Sequence, residues 1–156
     1  MNLAEKLWAI EEIKKVKAKY YRLMDSKKFE EMDAIFTKEA ILDVRQSTDI
    51  TADLSTPMSE STPNYMIGRD AILHVMRTVG GVMLSMHHGH MPEIELESDT
   101  RATGIWAMED LVEWPGGGGY AGMLHGFGWY YDTYLFEEGR WRIHHSQLRR
   151  IRVDTK

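Results

Sequence analysis

A chain of 156 residues with 43% hydrophobic and 28% charged residues has the make-up of one globular domain, long enough to bury roughly two-thirds of its unfolded surface. Its net charge of −5 argues against nucleic acid or an anionic membrane surface as a partner, because phosphate binding calls for a basic face. The absence of cysteine removes disulfides, thiolate nucleophiles and iron–sulfur clusters. With neither a long apolar run nor a signal-peptide pattern at the N-terminus, the expectation is a cytoplasmic protein with no membrane span.

Leu3, Leu7, Ile10, Ile13, Val16, Tyr20 and Leu23 recur at helical spacing, which predicts a first helix stopped by the turn Asp25-Ser26-Lys27. A second helix is expected over 28–36, with Phe29, Met32 and Phe36 on its apolar side. A strand is expected over 40–45, where Leu42 and Val44 alternate with Asp43 and Arg45. Residues 46–64, rich in Ser, Thr, Asp and Pro, read as a long loop of the kind that forms lids or interface segments. Ile72, Val75, Met76 and Val79 predict a third helix over 69–79, opened by Gly68 and closed by Gly80-Gly81.

Everything beyond is strand-like: 84–90, 93–97, 101–114, 120–136 and 140 to about 153, with Pro115 to Gly119 and Glu137-Glu138-Gly139 as connectors. Helices first and long antiparallel strands last make an α+β pattern. Gly122, Gly126 and Gly128 share one face of a strand, which signals sharp coiling or close approach of a helix. The expected architecture is a cone-shaped, curved antiparallel or mixed sheet wrapped around about three N-terminal helices, a single domain over 1–156 with an internal pocket.

Several strings carry a resemblance. Tyr20 to Phe29, Ile41 to Arg45, Ile67-Gly68-Arg69, His87 to Ile94, Gly104 to Asp110 and Gly139 to Ile143 resemble, in order, the SnoaL-like branch of the nuclear-transport-factor-like superfamily. That branch includes scytalone dehydratases, polyketide cyclases and ketosteroid isomerases. The resemblance implies a cone-shaped fold with a pocket and an oligomer, a dimer or trimer. It implies cofactor-independent lyase or isomerase chemistry, or alternatively a non-catalytic binding or assembly subunit like the small subunit of ring-hydroxylating dioxygenases. Tyr20 to Phe29 is similar to the first-helix segment of the scytalone dehydratases, where an aspartate and aromatic side chains line the pocket, and His87 falls at their catalytic histidine. Met24 and Val44 stand where that family keeps two pocket tyrosines, so its water-activating pair is absent, and its strand Ser and Asn have no match among Gly128, Trp129 and Tyr130.

Candidate groups follow. His87 is expected to act as general acid or base, since histidine titrates near neutrality. Strand alternation turns His88 and His90 the other way, toward a polar outer face, and two ligands do not make a metal site. Asp25 either caps a turn or orients His87. Asp110 alternates with Trp106, Met108 and Val112: it is either a desolvated proton shuttle or an outward carboxylate paired with an arginine. His125, with Phe127, Trp129 and Tyr131, reads as a pocket wall around an aromatic substrate or as a subunit contact. Tyr20 and His125 are expected to stabilise developing oxygen charge, with Tyr21, Met24, Val44, Trp106 and Met108 as further walls. Arg45 is expected at an exposed edge, and His144, His145, Arg149, Arg150 and Arg152 on a solvated or subunit-facing strand. The partner expected is a small apolar, aromatic or polycyclic hydroxylated molecule, with no cofactor or metal.

Overall fold

The computed structural model describes residues 1–115 and 122–156. Its first helix, α1 (Leu3–Asp25), opens on a capping box: Asn2 Oδ1 accepts from the Glu5 amide and the Glu5 carboxylate accepts from the Asn2 amide, which satisfies amides that have no partner inside the helix. The apolar stripe is used only from its third turn onward. Leu3 and Leu7 are 73% and 56% exposed, and the buried face is Ala9, Ile13, Lys17, Tyr20, Tyr21, Leu23 and Met24.

The expected second helix is a short 3-10 turn, Phe29–Ala34, and Phe36 begins strand β1 (Phe36–Asp43), which bridges Ile143 at Phe36 and His145 at Ile41. A three-residue strand, β2 (Tyr65–Ile67), follows the long loop and pairs with β1. Helix α2 (Arg69–Thr78) leads through a 3-10 turn at Gly80–Val82 into β3 (Leu84–Leu96). The two strands expected over 84–97 are one strand with a register shift between Gly89 and Pro92. β4 (Arg101–Trp114), β5 (Gly122–Glu137) and β6 (Arg140–Thr155) complete the chain. The glycine connector at 116–119 and the expected strand start at Tyr120 lie outside the described residues.

The six strands form one curved sheet in the order β2-β1-β6-β5-β4-β3, antiparallel except for the parallel pair β1–β6, so it is mixed as the sequence allows. In β4 every even-numbered residue from Ala102 to Val112 is buried and every odd one is not, the signature of a sheet with one covered face. That concave face packs on α1 and α2: Trp106, Met108, Tyr130, Tyr134 and Leu148 form one apolar cluster with Ile13, Tyr20, Leu23, Met24, Ile72 and Met76. The glycines of β5 serve a different purpose from helix approach. A Cβ on Gly126 would run into the Arg150 guanidinium and lie 2.7 Å from Asp110 Oδ1, and one on Gly128 would strike the Arg149 carbonyl. They make room for β6 and for one of its side chains.

Two polar knots brace the bowl. Lys17 Nζ lies 2.7 Å from Asp132 Oδ2 with both side chains at 0% exposure, an ion pair that joins α1 to β5. Arg45 grips Asp43 through Nε and Nη2 at 2.9 and 2.7 Å, and its Nη1 donates to the Thr56 carbonyl of the long loop. Arg45 is therefore an anchor for that loop rather than a free edge charge.

Candidate functional site

A cavity of about 420 Å³ lies between the concave sheet face and the helices. Its walls are Met24, Leu42, Val44, Met66, Val75, Met76, Val79, Met83, Val112, Leu124 and Leu148, with Ser47, Thr48, Pro63 and Asn64 of the long loop along one rim. Its polar groups are Tyr20, His87, Asp110, Tyr130 and Arg150. An apolar chamber with a few converging polar groups is the usual form of a small-molecule site.

The centre of the polar end is a carboxylate–imidazole pair. Asp25 is the last residue of α1, and its carboxylate caps neither that helix nor the following turn. Instead it reaches across to β3: Oδ1 is 2.6 Å from His87 Nδ1, Oδ2 accepts from the His87 amide at 2.8 Å, and Oδ1 also accepts from the Ser85 hydroxyl at 2.9 Å. Lys27 Nζ donates in turn to Ser85 Oγ at 3.2 Å. A carboxylate accepts only, so the imidazole presents a proton at Nδ1 and leaves Nε2 as the basic nitrogen. That nitrogen faces Asp110 Oδ2 at 3.9 Å. Tyr21 stacks over the ring with an interplanar angle of 13°, and a Cβ on Gly89 would collide with the Tyr21 ring, so the glycine in His88-Gly89-His90 leaves space for this tyrosine.

Burial pushes the Asp25 carboxyl up, but the bonds from the His87 ring, the His87 amide and Ser85 outweigh it and hold it below its ordinary value of 3.8. The folded chain thus binds this proton less readily than the unfolded chain. The resulting stability is complete above pH 3.8 and fades as the pH falls through the lower folded value. Denaturant unfolding followed from pH 6 down to pH 2 (about the range in which carboxylates titrate) is expected to show a steeper acid loss in wild type than in Asp25→Asn. Parallel curves for the two proteins contradict this assignment. Burial raises the Tyr20 and Tyr130 hydroxyls well above their ordinary range, so both remain protonated donors.

Asp110 faces inward, contrary to the outer-face alternative, yet it does have an arginine partner. Arg150 binds it through Nη1–Oδ1 at 2.8 Å and Nη2–Oδ2 at 2.7 Å. The strand expected to be solvated at 149–152 therefore delivers one arginine into the cavity. A register irregularity explains how: Gly128 pairs with Arg150 but Phe127 with Arg152, so Ile151 is skipped and the two arginines turn to opposite faces.

The expected aromatic wall lies elsewhere. His125, Phe127, Trp129 and Tyr131 are on the convex face, where His125 Nε2 is 3.1 Å from Glu109 Oε2, Tyr131 carries the Arg149 guanidinium at 4.1 Å, and Phe127 lies near Arg152. His88 and His90 are exposed on this outer side as well. Trp106 and Met108 face inward but sit below the cavity: Trp106 Nε1 donates to the Tyr134 hydroxyl at 3.0 Å, and Met108 Sδ lies under Arg150 Nη1 at 3.4 Å. His144 Nδ1 is committed to Thr37 Oγ1 at 3.0 Å. Among the described residues, no three His, Asp or Glu side chains are grouped to hold a metal ion, and no helix is long and apolar enough to cross a membrane.

Residues 5–147 match the family described as the SnoaL-like domain. Among solved structures, a protein named "Putative Scytalone Dehydratase" from Novosphingobium aromaticivorans superposes with a TM-score of 0.76 at 18% identity, over 97% of this chain and 89% of that one. A hexachlorocyclohexane dehydrochlorinase, LinA-type3, from Novosphingobium barchaimii superposes with a TM-score of 0.76 at 14% identity, over 98% and 93%. LinA itself gives 0.80 at 13% identity, over 100% and 95%. Identities this low carry the fold.

Proposed function

The chain belongs to the SnoaL-like domain family, and on that premise we propose that it is a cofactor-independent enzyme in which His87 removes a proton from a carbon next to an activating group, leading to elimination or isomerisation. One observation carries the reading: Asp25 meets His87 Nδ1 at 2.6 Å while the ring lines an open apolar cavity. In this reading Asp25 orients the imidazole and balances the imidazolium that forms, as the carboxylate of an acid–base dyad does. The protonated hydroxyl of Tyr20 supplies a donor for negative charge on substrate oxygen. His125 has no part in it. The cavity walls support a small, largely apolar substrate, with an aromatic or hydroxylated ring of the right size for about 420 Å³. The names of the structural relatives, a dehydratase and dehydrochlorinases, fit proton removal followed by loss of a leaving group.

The test is a panel of hydroxylated aromatic and diaryl carbonyl compounds incubated with the protein in deuterated buffer. Product formation or exchange of a carbon-bound proton that requires His87 is expected. Binding without either outcome on any member favours the alternative of a ligand-binding or assembly subunit. We also infer a homodimer or trimer closed over the convex face, where Leu84, Met86, Leu111, Met123 and Trp129 are all exposed on one side of the sheet. Sedimentation equilibrium showing a monomer at micromolar concentration contradicts this.

A further inference from the structure

The Asp25–His87 pair fills only part of the polar end of the cavity. Beside it, with the Tyr20 and Tyr130 hydroxyls, lie Asp110 and Arg150, each 3% exposed at its side chain and joined by two hydrogen bonds. Apolar residues of similar volume pack a core as well as a buried ion pair does, so stability alone does not account for this pair beside a base. An ion-paired carboxylate accepts hydrogen bonds and donates none, whereas a guanidinium only donates. Arg150 uses one N–H of each terminal nitrogen on Asp110, and Nη1 also faces Met108 Sδ. The second N–H of Nη2 is not taken up by these bonds, and Nε is buried with no hydrogen-bond partner. The pair therefore presents an acceptor, Asp110 Oδ2, and a donor, Arg150 Nη2, 2.7 Å apart, with the acceptor 3.9 Å from His87 Nε2.

We propose that this pair recognises an α-hydroxy carbonyl group, its hydroxyl donating to Asp110 Oδ2 and its carbonyl oxygen accepting from Arg150 Nη2. The proposal rests on His87 as the base and names the substrate class of that site. In the cis form of an α-hydroxy ketone the two oxygens are about as far apart as Oδ2 and Nη2, so one substrate reaches both, each hydrogen bond bending inward from its straight line. The carbinol carbon then stands next to Nε2. Its C–H bond breaks, the proton passes to Nε2, and the electron pair moves into the carbonyl to give an enediolate whose oxygen charge faces Arg150. Return of the proton to the former carbonyl carbon, with transfer of the hydroxyl proton between the two oxygens, gives the isomeric hydroxy carbonyl with no atom gained or lost. An acceptor cannot protonate a departing hydroxide, so the hydroxyl held by Asp110 stays on the substrate and the reaction is an isomerisation.

Titration calorimetry of the whole protein with phenacyl alcohol, acetophenone and β-hydroxypropiophenone tests the recognition. Phenacyl alcohol is expected to bind wild type at least about tenfold more tightly than either ketone, because it alone makes both charge-assisted bonds. The preference is expected to vanish in the double variant Asp110→Leu with Arg150→Met, which leaves no buried charge unpaired. Equal affinities in wild type, no binding of phenacyl alcohol, or a preference that survives in the double variant overturns the proposal; the wild-type comparison decides even if the double variant does not fold. Proton NMR in deuterated buffer separates this from the assignment of the base. Pair-dependent binding with carbinol exchange unaffected by His87→Gln keeps the recognition and removes the base, and His87-dependent exchange without a hydroxyl preference does the reverse.

Discussion

Replacing His87 with Gln is expected to lower turnover by a factor of about 10² to 10⁴, the contribution of a positioned general base. The variant is a clean probe because the bonds that place β3 against α1 do not all pass through the imidazole. Asp25 Oδ2 accepts from the backbone amide of residue 87 and Oδ1 accepts from Ser85, and both bonds are independent of the side chain at 87. The melting temperature should therefore change little while activity collapses. Asp25→Asn should give a comparable loss by another route: a carboxamide can donate to Nδ1 and so favour the tautomer that carries its proton on Nε2, which removes the basic nitrogen from the cavity side. Turnover within about threefold of wild type in His87→Gln (well short of the smallest contribution of such a base) sinks the assignment of the base, whatever the effect on substrate binding.

How far the site could be read from sequence depended on which physical signal each residue left. The dyad was legible: alternation separates His87 from His88 and His90, the family resemblance points to a histidine there, and Asp25 closes a well-marked helix. Face assignment on β5 was not, because bulk is a poor guide to the inside of a strand next to a cavity. Phe127, Trp129 and Tyr131 lie outside while Tyr130 and Tyr134 lie inside, and the inner face carries Gly126 and Gly128 because Arg150 and the backbone of β6 occupy the space a Cβ would need. Arg150 itself was hidden by the skipped residue Ile151. In a regular strand it shares a face with Arg152, and only the pairing with β5 reveals that the two part company. Alternation puts Asp110 on one face with Trp106, Met108 and Val112, but one strand taken alone does not say which of its faces is covered. The fold as a whole was easier, since helix stripes and strand alternation are local, whereas the shift at Phe36 from helix to strand is imposed by Ile143, more than a hundred residues away.

Lys17→Met is expected to have the largest effect on stability, a loss of about 3–5 kcal/mol from stranding the Asp132 carboxylate in the core. For a chain of this length that corresponds to a drop of roughly 6–20 °C in melting temperature. Lys17 sits four residues after Ile13 and three before Tyr20, on the buried stripe of α1, a position that the apolar pattern of the sequence does not reveal because the residue is charged. Burial pulls its ammonium below the ordinary range, and the Asp132 carboxylate pulls it back up. The Tyr130 ring, 3.8 Å from Nζ, adds a cation–π contact. Asp132 also accepts from the Tyr134 hydroxyl at 2.6 Å, which in turn accepts from Trp106 Nε1, so a stranded carboxylate disturbs the layer directly beneath the cavity. The double variant Lys17→Met with Asp132→Asn removes both charges and keeps an oxygen for Tyr134 to donate to. It should recover most of the loss, to within about 1–2 kcal/mol of wild type, because a buried pair and a well-packed neutral replacement are often close in free energy. Equilibrium urea unfolding of the two variants reads the difference directly. A cost below about 1 kcal/mol for Lys17→Met, in the range of an exposed pair, means that the ion pair does not hold α1 to the sheet. A double variant no more stable than the single one means that the loss comes from packing around the lysine stem, and the cavity wall at Tyr20 and Tyr130 then depends on shape alone.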